Sequence, residues 1–314
     1  MHILDSAATI GRLPFPALIA ALDDMFRAGV PGPRRHFHVL SDAPPHAGSL
    51  LIMPAWQPGR YLGIKHVTIY PGNGEAGLQG LHSTYTLFDA RTGVPVAVLD
   101  GDAITVRRTA AASALAARSL ARADARRLLI VGAGKVAAAL APAYAAVRDI
   151  DEVTIWNVRA DKAEALAARL REDGFNATAI EDLEAGVRRA DIVTCATLSP
   201  APLVRRAWLQ PGVHVDLIGG FTPQMRESDD ATFADTSVFV DTREALDKAG
   251  DVLSPMAAGV FAAERVRATL EDLCRGRHPG RERDDEITVY KAVGTALEDL
   301  AGAMLVCEPN ESWA

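Results

Sequence analysis

Cysteine is scarce in this chain. Cys195, Cys274 and Cys307 are odd in number and far apart, which excludes a disulfide framework and a cysteine-based zinc site and suits reduced, buried thiols. Long apolar runs are missing too, so nothing reads as a membrane span. Met1 to Ile10 carry acidic and polar residues and lack the basic-then-apolar order of a signal peptide, which makes the cytoplasm the expected location. Lysine and arginine form no block and the net charge is −7, so neither a nucleic-acid stripe nor a polybasic membrane patch is expected. No Gly-x-Ser-x-Gly elbow exists for a serine hydrolase. His36, His38, His66 and His82 match no ligand spacing, so no metal is expected.

What is present is enough apolar residue, 49% of 314, for two well-packed domains. The most informative stretch is Arg127-Leu-Leu-Ile-Val131, an apolar strand running into Gly132-Ala-Gly134-Lys-Val-Ala137 and an alanine-rich helix. Gly132 permits the tight turn, Gly134 lets backbone approach a pyrophosphate, and Ala137 lets the helix pack closely on the strand. Gly132, Ala133, Gly134, Lys135 and Val136 are therefore candidate dinucleotide contacts, with Thr109, Ala196 and Thr197 added to them. Further strands are expected at Val153 to Val158, Asn176 to Ile180, Asp191 to Ala196, Val213 to Ile218 and Val238 to Asp241. Helices at Ala163 to Arg171 and Glu181 to Arg189 alternate with them, the pattern of an α/β doubly wound parallel sheet of Rossmann type. Pro142 inside the first of these helices should kink or end it.

The end of the second strand decides between cofactors. An acid about 20 residues beyond the glycines binds the ribose 2′-hydroxyl of NAD, and a nearby arginine accommodates the 2′-phosphate of NADP. Here stand Asn157, Val158 and Arg159, with Lys162 soon after, so NADP(H) is preferred and NAD(H) stays open.

Ahead of this region, a helix at Pro16 to Ala28 precedes strand-like runs at His36 to Leu40, Leu50 to Pro54, Tyr61 to Tyr70, Ser83 to Phe88 and Val94 to Leu99. Their close spacing over Gly/Pro/Asp turns predicts an antiparallel sheet in a separate α+β domain. Arg108 to Arg122 reads as a bridging helix, and Thr288 to Val306 as a helix returning to the first domain. The expected division is 1–112 for substrate and dimerisation, 113–286 for the nucleotide, and 287–314 as the returning C-terminal helix.

Three cations in the first domain stand out. Lys65 lies in an apolar strand, Gly63-Ile-Lys65-His-Val-Thr, where an inward lysine needs a partner. Arg108 is read at the start of a helix, where the helix dipole disfavours a cation without an anion. Arg35 sits in Pro33-Arg-Arg35, between turn and strand. Together they can clamp a carboxylate, the guanidinium as a fork and the ammonium as a point charge.

Several segments in order then resemble one family. They are Gly63-Ile-Lys65-His-Val-Thr with Pro71-Gly-Asn73, Thr92-Gly-Val-Pro-Val-Ala-Val-Leu-Asp100-Gly, Arg108-Thr-Ala-Ala-Ala-Ser-Ala114, Gly132-Ala-Gly134, and Glu286-Ile-Thr-Val-Tyr-Lys291-Ala-Val-Gly294. They resemble the ornithine cyclodeaminase/μ-crystallin superfamily over nearly the whole chain. The resemblance implies a homodimer built on the N-terminal domain and closed by the C-terminal helix, with Lys65 and Arg108, and Arg35 as a third, facing a substrate carboxylate.

That family contains cyclodeaminases, alanine dehydrogenases and cyclic ketimine reductases. The deaminating members carry an aspartate soon after the fifth strand's Gly-Gly or Gly-Ala; here Asp216-Leu-Ile-Gly-Gly220-Phe221 places a phenyl ring there. The Gly-Gly-Phe-Thr-Pro-x-Met-Arg-Glu wording is similar to that of bacterial Δ1-pyrroline-2-carboxylate reductases, with Phe221 as an apolar wall for the ring. The expected reaction is NAD(P)H-dependent reduction of a small cyclic imino acid, Δ1-pyrroline-2-carboxylate to L-proline, with Δ1-piperideine-2-carboxylate left open as a further substrate. Ornithine cyclodeaminase, an alanine dehydrogenase-like enzyme and a non-catalytic NADPH-binding protein are the alternatives. For the proton, the candidates are Lys65, an ordered water, and Asp216 as a replacement acid.

Overall fold

The computed structural model describes residues 1–30, 35–44 and 46–307. The chain forms two compact units, one from Met1–Arg108 with the segment from Thr295 onward, the other from Thr109–Gly294. Pro33 and Arg34 of the Pro33-Arg-Arg35 stretch, and the end of the expected C-terminal helix from 308, lie outside the described residues.

The first unit opens with β1 (His2–Leu4), α1 (Ser6–Gly11) and α2 (Phe15–Ala28). It continues through β2 (His36–Ser41), β3 (Gly48–Gln57), β4 (Tyr61–Ile69), β5 (Leu81–Asp89) and β6 (Pro95–Asp100). The sheet order is β1-β6-β5-β4-β3-β2; β2 to β6 form an antiparallel meander, and β1 adds in parallel beside β6. Alternation gives this sheet one buried face: Met53 and Ala55 on β3, Gly63, Lys65 and Val67 on β4, Tyr85 and Leu87 on β5, Ala97 and Leu99 on β6. Strand parity therefore fixes Lys65 inside. α2 buries the stripe Leu18, Ile19, Leu22, Met25, Phe26, and α10 (Ala296–Cys307) packs on α2, β3 and β4.

The helix expected from Arg108 begins earlier, as α3 (Gly101–Leu120). Asp100 caps it, its Oδ1 accepting from the Ala103 N–H at 2.8 Å. Ile104, Thr105 and Val106 are β-branched, poor helix formers on their own, and they hide this first stretch from a reading by propensity. Arg108 is consequently two turns inside the helix, so its need for an anion arises from burial rather than from the helix dipole.

The second unit contains β7 (Arg127–Val131), α4 (Lys135–Ala145), β8 (Glu152–Trp156), α5 (Ala160–Glu172), β9 (Ala177–Ala179), α6 (Leu183–Arg189), β10 (Ile192–Cys195), β11 (His214–Leu217) and β12 (Ser237–Val240). Then come α7 (Ala245–Lys248), α8 (Gly250–Ala257), β13 (Val266–Thr269), α9 (Leu270–Cys274) and β14 (Thr288–Lys291), after which α10 follows in the first unit. The strands pair in parallel in the order β13-β12-β14-β11-β10-β7-β8-β9. The doubly wound Rossmann sheet is thus present. Leu128 through Val131 are all buried, as expected for a strand covered on both faces.

Two elements correct the sequence reading. Thr288–Lys291 is a strand between β11 and β12, not the start of a helix. A short run buried on both sides shows no period that separates strand from helix. β13 is an added strand, alternating buried and more exposed positions over only four residues. α4 runs through Pro142 to Ala145. Cys195, Cys274 and Cys307 are buried free thiols, and no helix among the described residues is long and apolar enough to cross a membrane.

Candidate active site

In the first unit, two cations on different elements meet two carboxylates on a third. Lys65 projects from β4 and Arg108 from α3, and both are buried. Asp299 Oδ1 accepts from Lys65 Nζ at 3.2 Å and from Arg108 Nε at 3.1 Å. Glu298 Oε2 accepts from Arg108 Nη1 at 2.7 Å, and Lys65 Nζ also donates to Thr105 Oγ1. Burial pushes the Lys65 ammonium toward its neutral form; Asp299 opposes this and Arg108 adds to it. Burial also works against the Arg108 charge, but Asp299 and Glu298 outweigh it and hold the guanidinium more firmly protonated. Asp299 is held below its ordinary range by Lys65 and Arg108 despite burial.

Gly63 explains its place in the motif. Tyr85 pairs with Lys65 across β4 and β5, and a Cβ at residue 63 would fall 1.9 Å from the Tyr85 hydroxyl. Burial and then Asp299 raise the Tyr85 phenol well above its ordinary value, so it stays protonated.

Arg35 directly precedes β2. Continuing the register His36↔Ile52 and Met53↔Lys65 by one residue puts it in the same row as Lys65, two strands away, or roughly 10 Å between Cα atoms. Arg107 faces elsewhere. Its Nε donates to Leu13 O at 3.0 Å and its guanidinium stacks on Phe15, 3.6 Å from the ring centroid.

In the second unit, the glycine turn has the form that a dinucleotide needs. Gly132 has φ 119°, and a Cβ there would lie 2.5 Å from Ala196 O. Its N–H donates to Trp156 O at 2.8 Å, which ties the turn to the end of β8. Gly134 is the N-cap of α4, without a side-chain cap, and Gly134 and Lys135 are exposed while Ala133 and Val136 are partly so. A helix start with uncapped N–H groups at the carboxyl end of a parallel strand fits a pyrophosphate. The order β10-β7-β8 puts this turn at the point where the chain reverses its direction across the sheet, where α/β proteins open a crevice.

At the end of β8, Asn157 Nδ2 donates to Arg159 O at 3.0 Å, and Arg159 is the N-cap residue of α5. Arg159 and Lys162 are exposed. Thr109 is buried in α3. Thr197, after β10, gives both its donors to Glu227 Oε1, the N–H at 2.7 Å and the hydroxyl at 2.9 Å, so neither is left for a nucleotide.

Asp216 corrects the sequence reading. It is fully buried in β11, where Oδ2 accepts from Tyr144 at 2.8 Å and Thr194 at 2.7 Å. Burial, opposed by these hydroxyls, lifts its carboxyl to about 6. From this buried position it anchors α4 beyond Pro142 through Tyr144. Phe221, after β11, is 45% exposed.

A family model for the ornithine cyclodeaminase/mu-crystallin family matches residues 16–313. The chain belongs to this family. A Δ1-pyrroline-2-carboxylate reductase of Paracoccus denitrificans is 41% identical over 294 residues, covering 92% of this chain and 91% of the relative. The structure of Thermococcus litoralis Δ1-pyrroline-2-carboxylate reductase in complex with NADH and L-proline is 30% identical with a TM-score of 0.91, covering 98% of this chain and 97% of that one. An archaeal alanine dehydrogenase dimer with bound NAD is 29% identical with a TM-score of 0.90, covering 98% and 95%.

Among the described residues, the buried charges Glu298, Asp299, Glu227, Asp251 and Lys291 of this family member escape sequence reasoning. Glu298 and Asp299 interrupt an otherwise apolar helix, Ala296-Leu-Glu-Asp-Leu-Ala-Gly-Ala, and such an interruption is the signal that a buried cation awaits them. Glu227 Oε2 also accepts from Gly219 N at 2.7 Å, so one carboxylate holds the loops after β10 and β11. Asp251 Oδ1 accepts from the N–H groups of Glu227 and Ser228 at 2.7 and 3.0 Å. Lys291 Nζ donates to Asp251 Oδ2 at 3.2 Å.

Proposed function

We propose that this chain is an imine reductase that converts Δ1-pyrroline-2-carboxylate to L-proline with a nicotinamide nucleotide, and that it prefers NADPH to NADH. The observation that carries this reading is the buried Lys65–Arg108 pair, joined through Asp299, in a chain 41% identical to a reductase of that name. A forked guanidinium beside an ammonium suits a carboxylate. Phe221 supports the reductase over a deaminase, since a phenyl ring carries no proton.

Bound NAD(P)H supplies the hydride to the C=N carbon. The chain's own part is to fix the carboxylate with Arg108 and Lys65, with Arg35 as a third arm, and to wall the ring with Phe221. The imine nitrogen gains one proton, from Lys65 or from a water that it orders. A ring that arrives closed needs no ammonia. Gly132, Ala133, Gly134, Lys135 and Val136 would hold the pyrophosphate, and Arg159 with Lys162 the 2′-phosphate.

The test is NADPH and NADH oxidation with the five- and six-membered cyclic imines, set against ornithine alone and pyruvate with ammonia. Turnover of Δ1-pyrroline-2-carboxylate is expected to lead. The six-membered ring should follow, because one methylene in an apolar pocket is worth only about 1–3 kcal/mol. Faster release of ammonia from ornithine would overturn the reading. A cytoplasmic homodimer is part of the proposal; Phe37 and Val39, exposed on β2, are suited to cover by a second copy, and light scattering decides it.

A further inference from the structure

One oxygen atom joins the two cations of the first unit. Asp299 Oδ1 takes both Lys65 Nζ and Arg108 Nε, while Asp299 Oδ2 is buried and has no hydrogen-bond partner among the described residues. A buried carboxylate kept for packing alone is a poor choice, since apolar groups of similar volume are commonly as stable or more so. Its single engaged oxygen points to the cation pair as its purpose. Without it, two like charges would face each other across an apolar interior.

We propose that Asp299 is the positioning residue of the substrate site, setting the Lys65 and Arg108 side chains side by side for one carboxylate. This rests on the reading of Lys65 and Arg108 as a carboxylate clamp. Arg108 is tied at two points, Nε to Asp299 and Nη1 to Glu298, so its planar fork is fixed before a ligand arrives. Lys65 is tied at Asp299 and Thr105, which leaves one of its three donors for a ligand.

The charge argument agrees with the geometry. The titratable groups around Lys65 are Tyr85 on β5, Asp102 and Arg108 on α3, and Glu298 and Asp299 on α10. Burial and Arg108 favour a neutral amine; Asp299 is the largest influence in the other direction, with Asp102 a smaller one. Removing the Asp299 charge must therefore move Lys65 deprotonation to lower pH.

The experiment compares wild type with Asp299→Asn and Asp299→Glu, using kcat/KM against pH on whichever amino, imino or keto acid the wild type turns over. Asp299→Asn is expected to move the basic limb down by about one pH unit and to lower kcat/KM at neutral pH on the order of 100-fold, with NADH and NADPH affinity unchanged. Asp299→Glu should keep the limb in place and still lose activity, because the added methylene displaces the shared oxygen. A substrate-free arm follows the Lys65 ammonium by NMR in protein labelled with 15N-lysine, the signal being assigned by its loss in Lys65→Met; it should titrate at lower pH in Asp299→Asn. An unmoved limb and an unmoved Lys65 titration would overturn the proposal. If Asp299→Asn does not fold, wild-type kcat/KM in Asp299→Glu overturns it instead. Should the wild type reduce no cyclic imine but act on another acid, the reductase reading falls while the role of Asp299 is still decided.

Discussion

Each unit of this protein buries a lysine against an aspartate at the same distance, 3.2 Å, and the two pairs have opposite characters. Around Lys65, two cations meet two carboxylates, and the guanidinium and ammonium keep donors that the acids do not use. Around Lys291, one cation meets Asp251 with Glu227 nearby, and the oxygens of these acids are otherwise taken by backbone N–H groups and a hydroxyl. On the proposed reading, the first cluster accepts an anion. In the second, one cation stands among two acids whose oxygens hold loops in place, with burial pushing Glu227 toward its protonated form and Lys291 opposing that. Burial of a charged pair alone does not distinguish a site from a staple; a second cation beside the first, with the acids spent on cations rather than on loop N–H groups, does.

The comparison breaks most visibly at the lysines themselves. Lys291→Met leaves Asp251 and Glu227 without their cation and should cost about 3–5 kcal/mol of stability in urea unfolding. Lys65→Met, which removes charge and donors at similar length, should cost much less stability while removing most imine reduction, because Arg108 still satisfies Asp299. Equal stability losses in the two variants would show the clusters to be alike.

Arg108→Ala should lower kcat/KM on the order of 1,000-fold, near 4 kcal/mol, with cofactor affinity kept. Collapse of NADPH binding with substrate KM unaltered would move Arg108 to the nucleotide side.

Asp216 sharpens the contrast between a buried acid and a working one. Its carboxyl is raised to about 6, so the fold holds a proton that the unfolded chain releases near the ordinary carboxylate value. The stabilisation this provides is present below that value and is lost as pH rises through 6, a change of about 3 kcal/mol. The stability difference between wild type and Asp216→Asn should vary by most of that amount, about 2.4 kcal/mol, between pH 4 and pH 7 in parallel denaturant titrations, with catalysis at pH 7 retained in the variant. A flat difference, or an inactive but stable Asp216→Asn, would return Asp216 to the list of acids that act on substrate.

The smallest effect is expected at the exposed end of β8. Arg159→Ala should reduce the NADPH over NADH ratio of kcat/KM by about tenfold, or 1.4 kcal/mol. An unchanged ratio would remove Arg159 from cofactor choice.

Much of the site is readable from residue order because it depends on local rules. Gly132 and Gly134 announce a turn of positive φ and an uncapped helix start, and Lys65 stands out as a lysine in an apolar strand that needs a partner if it points inward, while its inward direction is given by the structure. The start of α3 was hidden by Ile104, Thr105 and Val106, whose propensity is overruled by the Asp100 cap and by packing. Thr288–Lys291 carries no period because both of its faces are buried, so only its neighbours β11 and β12 make it a strand. Sequence by itself determined the Rossmann unit, the antiparallel unit and the two cations that need an anion, since each follows from contacts within a few residues. Tertiary structure alone decided that Asp299 and Glu298, some 190 residues or more distant in the chain, are the anions the cations find, and that Asp216 is sealed beneath Tyr144 rather than turned toward a substrate. Long-range charge pairing leaves no periodic trace in a sequence, because its geometry exists only after the sheet and its covering helix have closed on each other.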